Sequence, residues 1–217
     1  DKYGTEVLAI VRKALKSVLN EDKASDPATS FLSRPHPRPL YGPWLSGWAL
    51  DFHSRFVGSD QVRGVIGDLV YRYKYQCEHH LVGELTGFWV ELLAEHPELP
   101  SLQTVIPVPP SKQRDFDPVA HLAEALASQL GIQVQLDTLI KTRPTRPQKE
   151  LKSLMAKHGN VAGAFALQGR VAGQNLLLVD DLYDSGATLC EAARTLAGGR
   201  PRHIVVLTLT KTIHADR

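Results

Sequence analysis

Residues 176–188, LLLVDDLYDSGAT, constrain the fold more tightly than any other stretch. Leu176 to Val179 is a continuous apolar run, the pattern of a parallel strand buried on both faces. Asp180 and Asp181 follow, then Asp184, then Ser185, Gly186, Ala187 and Thr188 ahead of a helical pattern over 189–196. Strand, loop and helix in that order put the loop at the carboxyl end of a sheet, where open α/β folds bind ligands. Backbone N–H groups at such a loop and helix start attract anions. Gly186 lets the backbone curl around a phosphate, and the hydroxyls of Ser185 and Thr188 add donors. The carboxylates suit a different group, since they accept from sugar hydroxyls and hold Mg²⁺ directly or through water. A phosphorylated ribose offers both. The competing reading is a polar turn in which Asp180 and Asp181 do no more than end a strand.

The surrounding chain alternates strands and helices, which predicts an α/β domain with a largely parallel sheet. Apolar positions at helical spacing predict helices over 2–19, 60–75, 81–96 and 119–130, the last closed by Gly131. Trp89 falls on an apolar helical position and reads as core. Short apolar runs predict strands at 104–109, 132–139, 161–167, 175–179 and 203–209. Prolines 27, 35, 37, 39 and 43 break regular structure before residue 48, and Tyr41, Trp44 and Trp48 lie in or beside that stretch. The expected division is therefore 1–59 as an N-terminal helix and Pro-rich aromatic hood or lid, and 60–217 as the α/β domain.

Several function classes are disfavoured. The chain has no Walker A sequence and no G-x-G-x-x-G fingerprint, which argues against a P-loop ATPase or a nicotinamide dehydrogenase. With 25 basic and 23 acidic residues, net charge alone does not call for nucleic acid or an anionic membrane. No run reaches membrane-span length, and no secretory pattern is visible. Cys77 and Cys190 do not make a disulfide scaffold, so a reducing, cytoplasmic compartment is expected. Cys77-Glu78-His79-His80 are consecutive and cannot easily converge on one metal ion.

With these residues in view, VDDLYDSGAT at 179–188 resembles the signature of the type I phosphoribosyltransferases for 5-phosphoribosyl 1-diphosphate. Further segments are similar to the competence-associated, ComF-type branch: VIPVPPSKQR at 105–114, Pro147-Gln148-Lys149-Glu150-Leu151, Asn160 to Phe165 and, more loosely, Tyr73-Lys74-Tyr75. The likeness covers roughly 60–210. It implies a type I phosphoribosyltransferase-like α/β fold with a mostly parallel central sheet flanked by helices, plus the N-terminal hood. It also implies a Mg²⁺-dependent transfer of phosphoribose to a nitrogen acceptor. Many members carry R-G-F-N-Q where this chain has Arg114-Asp115-Phe116-Asp117-Pro118. Two cysteines do not supply the four-cysteine zinc module that the branch often carries at its N-terminus.

By that resemblance, Asp180 and Asp181 would meet the ribose hydroxyls with Mg²⁺, and Asp184, Ser185, Gly186, Ala187 and Thr188 would wrap the 5-phosphate. Asp184 would act as general base or orient the nucleophile. Pro110 and Ser111 fit a pyrophosphate site by position, and Lys112 or Arg114 would stabilise charge on the departing group. The alternative for both cations is a solvated turn. Between 141 and 157, six basic residues face one acid, Glu150. That segment reads as a loop closing over the donor, as a nucleic-acid contact, or as a solvated helix start. The functions that remain open are an enzyme with an unidentified acceptor, a non-catalytic donor or nucleotide sensor, and a protein linked to DNA uptake or repair. No membrane partner is expected, and a dimer is admissible.

Overall fold

A computed structural model describes residues 34–57, 59–111, 115–146, 150–151 and 153–213. The helix expected at 2–19 lies outside them.

The core is a sheet of β2 (Ser46–Phe52), β10 (His203–Lys211), β9 (Asn175–Tyr183), β5 (Thr104–Pro107) and β6 (Gln133–Val134), in that order and all parallel. Two-residue β1 (Arg38–Pro39) adds antiparallel beside β2. Leu176 to Val179 are all buried, as the apolar run predicts. The strand does not stop there. It pairs with β10 as far as Tyr183, so Asp180 and Asp181 belong to its last residues and do not follow it.

Alternate residues of the strands feed two separate cores. Val105, Leu177, Val179, Val205 and Leu207 pack under α1 (Val65–Tyr75), α2 (Val82–Ala94) and α3 (Pro118–Leu130). Trp89 is fully buried there, and its indole N–H donates to Thr208 O at 3.1 Å. Ile106, Leu176, Leu178 and Val206 pack on the opposite face against Leu189, Ala192, Ala193 and Leu196 of α5 (Ala187–Ala197). Local signals set the helix ends. Asp117 accepts from Val119 N at 2.9 Å and Ala120 N at 3.2 Å, Pro118 opens α3, and left-handed Gly131 closes it.

Three expectations change. The Pro-rich segment before residue 60 is not all hood, because β2 lies inside the central sheet and the sheet crosses the expected boundary at 59/60. Trp48 stacks on His96 at 4.3 Å and Trp44 donates to Leu40 O at 2.9 Å, so both serve packing. The helix expected over 60–75 begins at Val65, after a hairpin of β3 (Arg55–Val57) and β4 (Asp60–Val62). The strand expected over 132–139 is split by a turn, in which the Thr138 hydroxyl donates to Gln135 Oε1 at 2.7 Å. Beyond the turn, β7 (Leu139–Lys141) pairs antiparallel with β8 (Phe165–Leu167), away from the main sheet. The segment between those two strands includes α4 (Leu154–Val161), which Ser153 caps through Ala156 N at 3.1 Å.

Candidate functional site

α3 leaves β5 on one face of the sheet and α5 leaves β9 on the other. The crevice between the carboxyl ends of β5 and β9 is therefore a topological switch point. The two loops converge there. Val108 N donates to Val179 O at 2.9 Å, extending the register so that Pro109, Pro110 and Ser111 leave the sheet beside Asp180. Residues 180–189 line a cleft of about 160 Å³.

Asp181 points to the helical face. Its Oδ2 accepts from Lys74 Nζ of α1 at 2.6 Å, across 107 residues of sequence. Burial works against the Lys74 charge, but the Asp181 carboxylate overrides it and holds the lysine above its usual range. Asp180 is pushed up to about 8, first by burial and then by the charge of Asp181. The Asp181 N–H, which donates to Asp180 Oδ1 at 2.8 Å, pulls the other way, as do Lys74 and Lys141.

Asp184 opens the turn into α5. Its Oδ2 accepts from Lys157 Nζ of α4 at 2.5 Å. Its Oδ1 and carbonyl oxygen both lie 3.2 Å from the Thr212 hydroxyl, which follows β10. Gly186 has φ +75°, and a Cβ there would meet the Tyr183 hydroxyl at 2.4 Å, so the turn demands glycine on two counts. Ser185 Oγ accepts from Ala187 N at 3.4 Å. A helix start leaves its first amides without intrahelical partners, and these face the loop.

Ser111 lies beside this group. Lys141 Nζ donates to its Oγ at 3.2 Å, and burial holds Lys141 below its usual range despite Asp180 nearby. Pro110 is half-buried and Ser111 exposed. Lys112 and Arg114 lie outside the described residues.

The site thus draws on residues that the sequence alone did not assign to it. Lys74 was visible only as the middle of Tyr73-Lys74-Tyr75, Lys157 only as one of six basic residues, and Thr212 carried no signal. Two members of the Cys77 to His80 run have other partners. Glu78 pairs with Arg72 at 2.6 Å, and the His79 ring packs on Phe116 at 4.0 Å. Among the described residues no group of three or more His, Cys, Asp or Glu gathers to hold a metal ion, and no helix is long and apolar enough to cross a membrane.

Residues 120–215 match the model of the "Phosphoribosyl transferase domain". That span runs from within α3 through β10 and contains the whole acidic loop. The DNA utilization protein YhgH of Salmonella typhi is 30% identical over 101 residues, 46% of this chain and 44% of that protein. Its Escherichia coli K12 counterpart is 29% identical over the same shares. The match thus spans less than half the length of these relatives. A ribose-phosphate pyrophosphokinase of Ralstonia nicotianae is 39% identical over 74 residues, 34% of this chain and 19% of that protein. Among solved structures, adenine phosphoribosyltransferase from Saccharomyces cerevisiae is similar at 16% identity, over 63% of this chain and 72% of that chain, with a TM-score of 0.42. The domain match and the mixed, mostly parallel sheet flanked by helices give a type I phosphoribosyltransferase-like α/β fold.

Proposed function

We propose that this phosphoribosyltransferase-domain chain binds 5-phosphoribosyl 1-diphosphate and transfers its phosphoribosyl group to a nitrogen acceptor. One observation carries the reading. Carboxylates suited to sugar hydroxyls and a glycine turn at a helix start suited to a phosphate line the same cleft, at the switch point of the sheet.

The chain's own groups then divide the work. Asp180 and Asp181 accept from the ribose hydroxyls. Asp181 keeps Oδ1 for this purpose while Lys74 occupies Oδ2. The turn from Asp184 to Thr188 takes the 5-phosphate, and Pro110 and Ser111 border the diphosphate, with Lys112 and Arg114 next in the chain. In the transfer the bond from C1 to the diphosphate oxygen breaks and its electron pair leaves with the diphosphate. The acceptor nitrogen lone pair forms the new bond to C1. The nitrogen proton passes to Asp184 or to water. Positive character on the ribose ring is stabilised by the nearby carboxylates.

Mg²⁺ fits the donor set, because Asp180 and Asp181 offer hard oxygens and a cation would offset the burial, and then the Asp181 charge, that push Asp180 up to about 8. Two carboxylates are too few to complete an octahedral shell, so the remaining ligands would be water and donor oxygens. When bound, the ion would neutralise charge on the departing diphosphate.

A second reading is a non-catalytic donor or nucleotide sensor. It is favoured by the engagement of both Asp184 oxygens, one by Lys157 and one by Thr212. A link to DNA uptake or repair draws on the names of the relatives and on exposed Arg143 and Arg146. Pyrophosphate release with Mg²⁺, the donor and a panel of bases separates enzyme from sensor. Turnover that falls about 100-fold or more in Asp184→Asn supports the enzyme. Saturable donor binding without turnover on a broad panel supports the sensor.

A further inference from the structure

Residues 180–189 line the cleft with three carboxylates and no cationic side chain. A phosphate approaching it needs positive charge from elsewhere, beyond what the helix start provides. Lys141 and Arg143 already have neutral partners outside the loop, Ser111 Oγ at 3.2 Å and Ala162 O at 2.8 Å. Lys157 is different, because its ammonium sits on Asp184, the first residue of the turn that wraps the phosphate. The pair is partly buried, with side-chain exposures of 17% and 27%. The helix that bears Lys157 is fixed in place. Ser153 caps it, Asn160 exchanges two hydrogen bonds with the Arg146 backbone at 3.0 and 2.9 Å, and Gly163 N donates to Glu191 Oε1 of α5 at 2.7 Å. Only the flexible stem of Lys157 has to move for its head to change partner.

We propose that Lys157 is an exchangeable cation that couples donor binding to the release of Asp184. In the ligand-free chain it neutralises Asp184, whose other oxygen accepts from Thr212, so the Lys157 ammonium occupies the approach to Oδ2 that an acceptor N–H would use. A phosphate monoester seated in the adjacent turn carries up to two negative charges against one on the carboxylate. The ammonium transfers to it. Asp184 then regains Oδ2 only once the donor is in place. The proposal rests on the reading that this loop binds a phosphorylated donor.

The test is a thermodynamic cycle read by titration calorimetry. It uses wild type, Lys157→Met, Asp184→Asn and the double variant, each titrated with 5-phosphoribosyl 1-diphosphate and with inorganic phosphate. Circular dichroism checks the fold, and Lys157→Gln replaces the methionine variant if that one is misfolded. Lys157→Met should weaken donor binding about 10-fold. Asp184→Asn should tighten it about fivefold, because the lysine no longer has to leave a partner. In the Lys157→Met background that gain should shrink below about twofold. An equal gain in both backgrounds would mean simple charge repulsion and would overturn the coupling. So would unchanged donor affinity in Lys157→Met. If wild type and all variants fail to bind either anion, the donor reading itself fails and the coupling falls with it.

Discussion

The two faces of the central sheet are built for different ends. The face under α1, α2 and α3 is filled by large side chains, with Trp89, Tyr73 and Leu85 fully buried. The opposite face is filled under α5 by Ala192, Ala193 and Leu196, and beside it lie β7, β8 and α4 with Leu154 and Met155 exposed. Each face contributes one lysine to the acidic loop, Lys74 from the first and Lys157 from the second. Lys74 comes from a helix whose Tyr73 is locked to Pro118 O at 3.0 Å, whereas Lys157 comes from a short helix held mainly by exposed hydrogen bonds. The lesson is that one face ties the acidic loop to a deeply buried helix and the other ties it to a helix near the surface.

Substitutions on each face can break that contrast. Trp89→Ala should lower unfolding free energy by about 3–5 kcal/mol, read as a shift in denaturant midpoint. A loss below about 1 kcal/mol would deny the helical face its anchoring role. Gly186→Ala should act through the site. A methyl at φ +75° against Tyr183 distorts the turn from Asp184 to Thr188, and if that turn takes the 5-phosphate as proposed, donor affinity should fall about 30-fold, near 2 kcal/mol, with a smaller change in thermal midpoint. Removing the Asp117 cap with Asp117→Ala should cost about 1 kcal/mol of stability.

Asp180 gives a pH test of similar size. Its folded-state value is about 8 against an ordinary 3.8. The unfolded chain loses this proton near 4 and the folded chain keeps it until near 8. Stability contributed by this group therefore falls as pH rises through that window. Asp180→Asn should match wild type at pH 4 and be more stable at pH 8, by on the order of 1 kcal/mol in urea titrations without added cation. A variant less stable than wild type at pH 8 would contradict the cost of holding the Asp180 charge buried beside Asp181. Smallest of all, Met155→Lys, at a position 86% exposed, should leave stability within about 0.5 kcal/mol. A larger loss would show that α4 is covered by something that matters to folding.

The local part of this design was readable from the residues. The apolar run of β9, the Asp117 and Gly131 helix ends and the glycine of the acidic turn each act over a few residues, so spacing and residue type suffice to find them. β2 was hidden because prolines on its N-terminal side masked the alternation of Trp48, Leu50 and Phe52. The extension of β9 through Asp180 and Asp181 was hidden because charge usually marks the end of a buried strand, and only pairing with β10 as far as Lys211 keeps these residues in it. The pairing of each lysine with its carboxylate was not legible, although the basic segment holding Lys157 did read as one that could close over the donor. Contacts across 107 and 27 residues depend on how helices pack on the sheet, and no local pattern encodes that.

The ends of the central sheet have a consequence for assembly. On one side, among the described residues, the last strand is two residues long and contains Pro39, which has no N–H to offer a further strand. The opposite edge, Gln133–Val134, is equally short. Among the described residues, each border strand pairs with only two residues of its neighbour and offers a second molecule little ladder to continue. Two copies of this chain that associate through the described residues would have to meet through helices, the small hairpins or side chains, and the sheet would remain private to each copy.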